Sequence, residues 1–263
     1  MAIRHCFAVI SLATLFCGAV ANTGDKMADE KYKSESLDGD LKATQLVIND
    51  AGLVRKTKNV SFAEGKWDKG EWIVVKSARW PEFGHWVQKA DHIENSVPLD
   101  ADEIKWQGAR APETYASMLW NTKLHGNFKV SSTMDFDFRM APLIVLAPSF
   151  GRDANGFPEY REHWEIIIYD EGINVWHHQN DGKPTWHLAA QLKIKYEPKR
   201  KYELKVQVKR EKAGAQIIVD CGGASFSYME HDLPQELFAG ITGCEGINRF
   251  YDFKVEYEDK NNR

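Results

Sequence analysis

Gly156–Gln179, GFPEYREHWEIIIYDEGINVWHHQ, decides the fold. It reads as two antiparallel strands joined by a tight turn at Asp170-Glu171-Gly172. Successive side chains in a strand point to opposite sides, so Trp164, Ile166 and Ile168 share one face. His163, Glu165, Ile167 and Tyr169 share the other. The second strand, Ile173–His178, ends in Trp176, His177 and His178, and Trp186 and His187 follow shortly. An apolar face backed by His, Glu, Tyr and Trp suits a sheet that holds a sugar, because aromatic rings stack on sugar rings and fixed polar groups select hydroxyls. The plainer reading of the same pattern is an amphipathic strand with a solvated outer face.

The rest of the chain repeats this strand-and-turn grammar. Short apolar or alternating runs fall at Leu46–Ile48, Glu71–Lys76, His85–His92, Tyr115–Asn121, Phe128–Met140, Leu143–Ala147, Leu192–Tyr196 and Tyr202–Arg210. Gln216–Asp220 and Ala224–Tyr228 flank Cys-Gly-Gly as a hairpin, and Phe238–Thr242 and Phe250–Tyr257 close the series. In the run from Phe128 to Met140, Met134, Phe136, Phe138 and Met140 are expected inward, with Asp135, Asp137 and Arg139 outward. Only Asp232–Leu237 offers a helical turn. About a dozen strands with almost no helical periodicity predict an all-β, antiparallel sandwich or jelly roll.

Composition is compatible with one such domain. The chain has 263 residues, 43% hydrophobic and 12% aromatic, enough for a sizeable core. A net charge of −4 and the brevity of Lys199-Arg200-Lys201 speak against a nucleic-acid partner. Met1–Ala21 reads as a signal peptide: Arg4 and His5, an apolar run from Cys6 to Cys17, then Ala19-Val20-Ala21 as the cleavage site. The run is too short for a membrane span, and secretion or periplasmic export is expected. Residues 22–42 form a polar leader, 43–258 a single sandwich domain and 259–263 a polar tail. Cleavage leaves Cys221 and Cys244, for which one disulfide and two unpaired thiols are both open.

Three functions fit the residue types. A glycoside hydrolase needs two placed carboxyl groups, and the nearest single-strand match, Asp135-Phe136-Asp137-Phe138-Arg139, has arginine where the last carboxylate should stand. Glu165 remains as one carboxyl of a pair on neighbouring strands. A polysaccharide lyase needs a cation to neutralise a uronate and a His or Tyr base. Arg139 would be the neutraliser and His163 or Tyr160 the base. A binding module or lectin would use the same aromatic sheet without proton transfer. The function expected is recognition and cleavage of a poly- or oligosaccharide, preferably acidic, with the non-catalytic binder as the alternative, so the expected site joins His163, Glu165, Arg139 and Tyr160 as catalytic candidates. Trp176, His177, Trp186, Asp137, Tyr169 and Arg249 are the substrate-binding candidates, on a concave sheet built partly from the strands at Asp135, His163 and His177. Arg249, in the turn Glu245-Gly246-Ile247-Asn248-Arg249, is alternatively one half of an ion pair.

No metal ligands are assigned. Asp153-Ala154-Asn155-Gly156 resembles the start of a calcium loop and makes Ca2+ the one cofactor raised, but the remaining ligands are absent and an Asx turn explains the segment. The adjacent His177 and His178 point to opposite faces and make a poor chelating pair. The partner expected is a poly- or oligosaccharide, and the sequence assigns no oligomeric state.

The chain resembles the concanavalin A-like jelly-roll superfamily. Within it, Phe157-Pro158-Glu159-Tyr160 before the His163 strand, Lys205–Val219, Ala239-Gly240-Ile241 and Arg249–Phe253 resemble the YesU-like (DUF1961) family, found alongside rhamnogalacturonan-degrading enzymes. The closing layout is also similar to the 3-keto-disaccharide hydrolase-type domain. These resemblances imply a sandwich and a saccharide ligand, and neither supplies a catalytic set.

Overall fold

The computed structural model describes residues 47–48, 54–80, 84–100, 111–138 and 140–259. The Met1–Ala21 segment, the 22–42 leader and Arg139 lie outside the described residues. The chain folds as two antiparallel sheets packed face to face, an all-β sandwich. The larger sheet has ten strands, and its central path includes Val54–Ser61, Asp252–Asp259, Phe128–Phe136, Tyr202–Glu211, Gly214–Cys221 and Ala224–Glu230. The smaller has eight. Its order from one edge is Pro184–Lys193, Gly172–Asn180, Pro158–Tyr169, Met140–Arg152, Glu236–Gly243, Ala116–Trp120 and Trp72–Val74. No helix among the described residues is long and apolar enough to cross a membrane.

Alternation drives the packing. In Gly214–Cys221, Ala215, Ile217, Val219 and Cys221 are fully buried while the residues between them are half-buried. The hairpin that follows pairs Cys221 with Ala224, and its two central residues, Gly222 and Gly223, both have positive φ, 59° and 85°. That is the primed turn whose twist matches its strands, and glycine enters it without a Cβ penalty. Between the sheets, Trp164, Ile166, Ile168 and Val175 of the smaller meet Phe136, Val206, Val219 and Phe253 of the larger, all fully buried. Each such side chain contributes about 1.5–3 kcal/mol of burial.

The smaller sheet also carries apolar groups on its outer face. Tyr115, Leu119, Leu143, Val145, Tyr160 and Cys244 form a second buried cluster, with Val75 and Trp80 packed on it. A strap accounts for this. Leaving the edge strand Trp72–Val74, the Val75 amide bonds the carbonyl of Ser117. Lys76 then exchanges backbone bonds with Pro158 and Tyr160, on a strand separated from that edge by three others. The 75–80 segment therefore runs across the outer face and turns an open sheet surface into a covered one.

Several expected elements differ. Phe128–Met140 is not one strand: Phe128–Phe136 belongs to the larger sheet and Met140–Arg152 to the smaller. The chain changes sheets there, after the Asp137 amide makes a last bond, to the Ile247 carbonyl, in register with the Asn248–Phe250 ladder. His85–His92 is instead a hairpin of Trp86–Gln88 and Ile93–Asn95. The expected strand Leu192–Tyr196 is the tail of Pro184–Lys193, and Asp232–Leu237 holds a turn and the start of Glu236–Gly243, not a helical turn. Cys221 and Cys244 are buried free thiols at the ends of strands in opposite sheets. Burial pushes the Cys221 thiol up to about 12.

Candidate functional site

The hairpin register builds the site. Tyr169 stands opposite Gly172, so counting back along both strands sets His163 opposite His178 and Glu165 opposite Trp176. The next strand places Trp186 opposite His178. Paired residues share a face, so a row of rings runs across three strands and is extended by Tyr160. Tyr160 stacks on His163 at 4.4 Å between centroids, His163 on His178 at 4.6 Å, and His178 faces Trp186 at 6.5 Å, with interplanar angles of 25°, 15° and 23°. Trp186, at the end of the row, is 46% exposed.

Glu165 sits beneath the two imidazoles and is buried. Its Oε1 lies 3.3 Å from His163 Nε2 and accepts a hydrogen bond from the Tyr115 hydroxyl at 3.1 Å. Its Oε2 lies 3.2 Å from His178 Nε2. That last approach lacks hydrogen-bond geometry, so His178 Nε2 is a buried nitrogen without a hydrogen-bond partner among the described residues. Burial alone would raise the Glu165 carboxyl, but His178 and His163 outweigh it and hold the group well below the usual carboxylate range. Burial also holds the His163 imidazole below its ordinary value, against the pull of Glu165. The arrangement is an ionised carboxylate beside a neutral imidazole. Tyr115, raised by burial and then by Glu165, stays a neutral donor.

The strap supplies the opposite wall. Ser77, Ala78 and Arg79 line a shallow crevice with Tyr160, Arg161, His163, His178, Gln179 and Thr185. The Arg79 guanidinium is held between two indoles, 4.3 Å from the Trp80 ring and 4.5 Å from that of Trp186. Such contacts fix a cation at the rim of an aromatic surface.

The sequence-predicted residues divide. His163, Glu165, Tyr160 and Trp186 come together, with Trp176 on the same face beside Glu165. Tyr169 shares the face but stands six residues along the strand, bonded by Gln191. His177 does not belong with them. It points to the opposite side, stacked on Trp164 at 4.2 Å and bonded to Glu162 at 2.8 Å. Asp137 and Arg249 are also elsewhere, because the Asp135 strand lies in the other sheet. Arg249 grips Asp137 at 2.7 and 3.1 Å and Asp135 at 2.9 Å, leaving neither free for a ligand at the His163 face. Tyr160 is unsuited as a base: its hydroxyl meets Ser117 at 2.7 Å in the interior, and burial raises it well above the ordinary phenol value. At the expected calcium-like loop, Asp153 Oδ1 accepts the amides of Asn155 and Phe157, and Oδ2 pairs with Lys76, an Asx turn anchored to the strap.

Sequence reasoning missed His178, Tyr115 and Arg79. His178 was readable from the two-residue turn, since register follows from turn length. Tyr115 and Arg79 reach the site through the strap and a distant strand, for which no local pattern exists.

No family model matches the chain, and no curated protein matches it in sequence. Solved structures do match. The carbohydrate recognition domain of Emp47p is 12% identical with a TM-score of 0.51, over 76% of this chain and 94% of that one. A Lotus tetragonolobus seed lectin is 9% identical with a TM-score of 0.51, over 78% and 99%. Carbohydrate-binding module CBM66 of Bacillus subtilis aligns at a TM-score of 0.47 and 12% identity, over 70% and 94%. At these identities the likeness concerns the fold alone, the concanavalin A-like jelly roll.

Proposed function

We propose that this protein is a carbohydrate-binding protein without catalysis, holding its glycan on the outer face of the smaller sheet. The observation that carries the reading is the ladder of stacked rings ending in the exposed Trp186, with Arg79 fixed beside it. An exposed indole continuing a rigid aromatic row offers a sugar ring a flat apolar surface, and the guanidinium favours an acidic residue such as a uronate. The matched folds named as a lectin and a carbohydrate recognition domain support the same class. The Met1–Ala21 segment supports export, and the YesU-like resemblance adds pectin-derived glycans to the ligands worth testing.

The test is retardation of the purified protein in affinity gels containing neutral and acidic plant and algal polysaccharides. Retention is expected, strongest on an acidic glycan, with Trp186→Ala weakening it by about tenfold, the equivalent of roughly 1.4 kcal/mol. No retention on any glycan, or full retention by Trp186→Ala, would sink the reading.

A second reading, cleavage, is favoured by one observation. Strongly shifted buried groups such as His163 and Glu165 concentrate at catalytic sites. In that case His163, not Tyr160, is the base. Running the same mixtures for ultraviolet absorbance of unsaturated products and for new reducing ends separates lyase, hydrolase and binder.

A further inference from the structure

His163, Glu165 and His178 form a set that the binding role of the outer face leaves unexplained. All three are buried, and their potential ligand atoms lie within 4.8 Å of one another. The set draws on two adjacent strands: His163 and Glu165 two residues apart on one, and His178 directly across on the next. Three features distinguish it from an ordinary hydrogen-bonded core cluster. The two imidazoles address different oxygens of one carboxylate, at 3.3 and 3.2 Å. Such separations, ordinary for hydrogen bonds, also suit donors around one divalent ion, since bonds of about 2.0–2.1 Å at tetrahedral angles put neighbouring donors about 3.3 Å apart. His178 Nε2, 3.2 Å from Glu165 Oε2, has no hydrogen-bond partner among the described residues, so a ring nitrogen is buried with its bonding capacity unmet. A buried polar atom left so is destabilising unless something else satisfies it. The Tyr115 hydroxyl bonded to Glu165 Oε1 is the outer support that orients a ligating carboxylate.

We infer that His163, Glu165 and His178 are the protein ligands of a first-row divalent cation, with a fourth position open toward the Ser77–Arg79 crevice. Two imidazoles and one carboxylate suit Zn2+, or Co2+ and Ni2+ in its place, and suit the hard ions Ca2+ and Mg2+ poorly. This site is separate from the Asp153 loop, whose oxygens are taken by backbone amides and Lys76. The imidazole planes lie 15° apart in a stack, so binding one ion in the plane of both rings requires them to rotate out of that stack. The inference stands on the geometry of these three residues and does not depend on the glycan reading.

The experiment is a calorimetric titration of untagged, chelator-stripped protein with ZnCl2, beside a CoCl2 titration followed by visible absorbance. One ion per chain is expected, with the intense visible bands of four-coordinate cobalt. Glu165→Gln and His178→Ala are each expected to weaken Zn2+ binding at least 100-fold, and His177→Gln, on the other face, to leave it unchanged. Near-ultraviolet circular dichroism confirms that each variant is folded. If His178→Ala fails to fold, Glu165→Gln, which keeps the side-chain shape, carries the comparison alone. The inference is overturned if the wild type shows no binding at millimolar Zn2+. It is equally overturned if binding survives Glu165→Gln, or if His177→Gln abolishes it, which would assign the ion to His177 and its surroundings.

Discussion

Two buried polar clusters, one in each sheet, use similar groups to opposite effect. In the larger sheet, Arg249 bridges Asp135 and Asp137, and the Tyr251 hydroxyl closes the set at 2.6 Å from Asp135. The planar guanidinium presents several donors in a fixed fork, so one cation answers two carboxylates with little left unmet. In the smaller sheet, Glu165 contacts two imidazoles, and the His178 nitrogen beside it makes no hydrogen bond among the described residues. The first cluster is complete within the chain. The second has a donor atom to spare and opens on a crevice. A self-satisfied cluster serves folding, whereas an incomplete one beside solvent is where a ligand acts.

The sharpest way to break that contrast is to remove the cation that completes the first cluster. Arg249→Ala leaves Asp135, almost wholly buried, with Tyr251 as its remaining side-chain donor. Stripping one partner from a buried pair costs about 3–5 kcal/mol because the surviving charge stays desolvated. Arg249 retains some exposure, which places the expected loss near the lower end, about 3 kcal/mol, read from denaturant midpoints. Glycan retention and Zn2+ affinity are expected to stay at wild-type values. A loss below about 1 kcal/mol, or loss of either binding function, would show that the two clusters are not divided as described.

The division was only partly legible beforehand. The sandwich was readable because period-2 alternation, as in Gly214–Cys221, repeats across the chain, and alternation is a local property. The facing of His163 and Glu165 was readable for the same reason. What failed was long-range. Asp135 and Asp137 looked available because nothing in their own strand announces Arg249, more than a hundred residues on. Assigning Phe128–Met140 to one strand also carried Asp135 into the wrong sheet, since the switch at 137–139 has no glycine or proline to mark it. Choosing His177 over His178 was a register error of one residue, and in a strand that error inverts the face. The strap that brings Ser77, Arg79 and Trp80 over the site depends on non-local pairing, which no sequence window contains.

Acidification sharpens the comparison at intermediate magnitude. Burial places the folded-state value of His163 below the unfolded one, about 6.5. The unfolded chain therefore binds more protons as pH falls below that point, and stability declines between the unfolded and the folded value. The slope reaches at most about 1.4 kcal/mol per pH unit for this one group. Above about pH 6.5 its contribution is fully present and flat. Arg249, pushed further up chiefly by its Asp137 hydrogen bond, stays charged throughout and adds no slope. In chelator, His163→Gln is expected to flatten the decline just below pH 6.5 relative to wild type, while Arg249→Ala lowers the whole curve without changing its shape there. Glu165 adds a further fall only at lower pH, below its unfolded value of about 4.3. Thermal midpoints measured from pH 5 to 8 test this, and an unaltered slope in His163→Gln would remove His163 as its source.

The smallest effect concerns Glu245, in the turn between Glu236–Gly243 of the smaller sheet and Asn248–Phe250 of the larger. Gly246 carries a positive φ there, 116°, but Glu245 also adopts one, 56°. A left-handed conformation costs a residue with a Cβ about 1–2 kcal/mol. The turn holds it in place, with Asn95 Nδ2 bonded to the Gly246 carbonyl at 2.6 Å and Asn248 Nδ2 to that of Cys244 at 2.7 Å. Glycine would relieve the strain while adding freedom to the unfolded chain, so Glu245→Gly is expected to gain no more than about 1 kcal/mol. A residue retained at such a position has a second role if removing it improves stability and harms binding. Burial holds the Glu245 carboxyl above its ordinary value, with Arg79 pulling it down and Glu165 pushing it up, so the carboxyl lies within the field of both. Loss of that carboxyl is expected to loosen Arg79 and reduce retention on acidic glycans a few-fold, with neutral glycans unaffected. Gained stability with unchanged retention would make Glu245 an accident of the turn and leave Arg79 held by Trp80 and Trp186 alone.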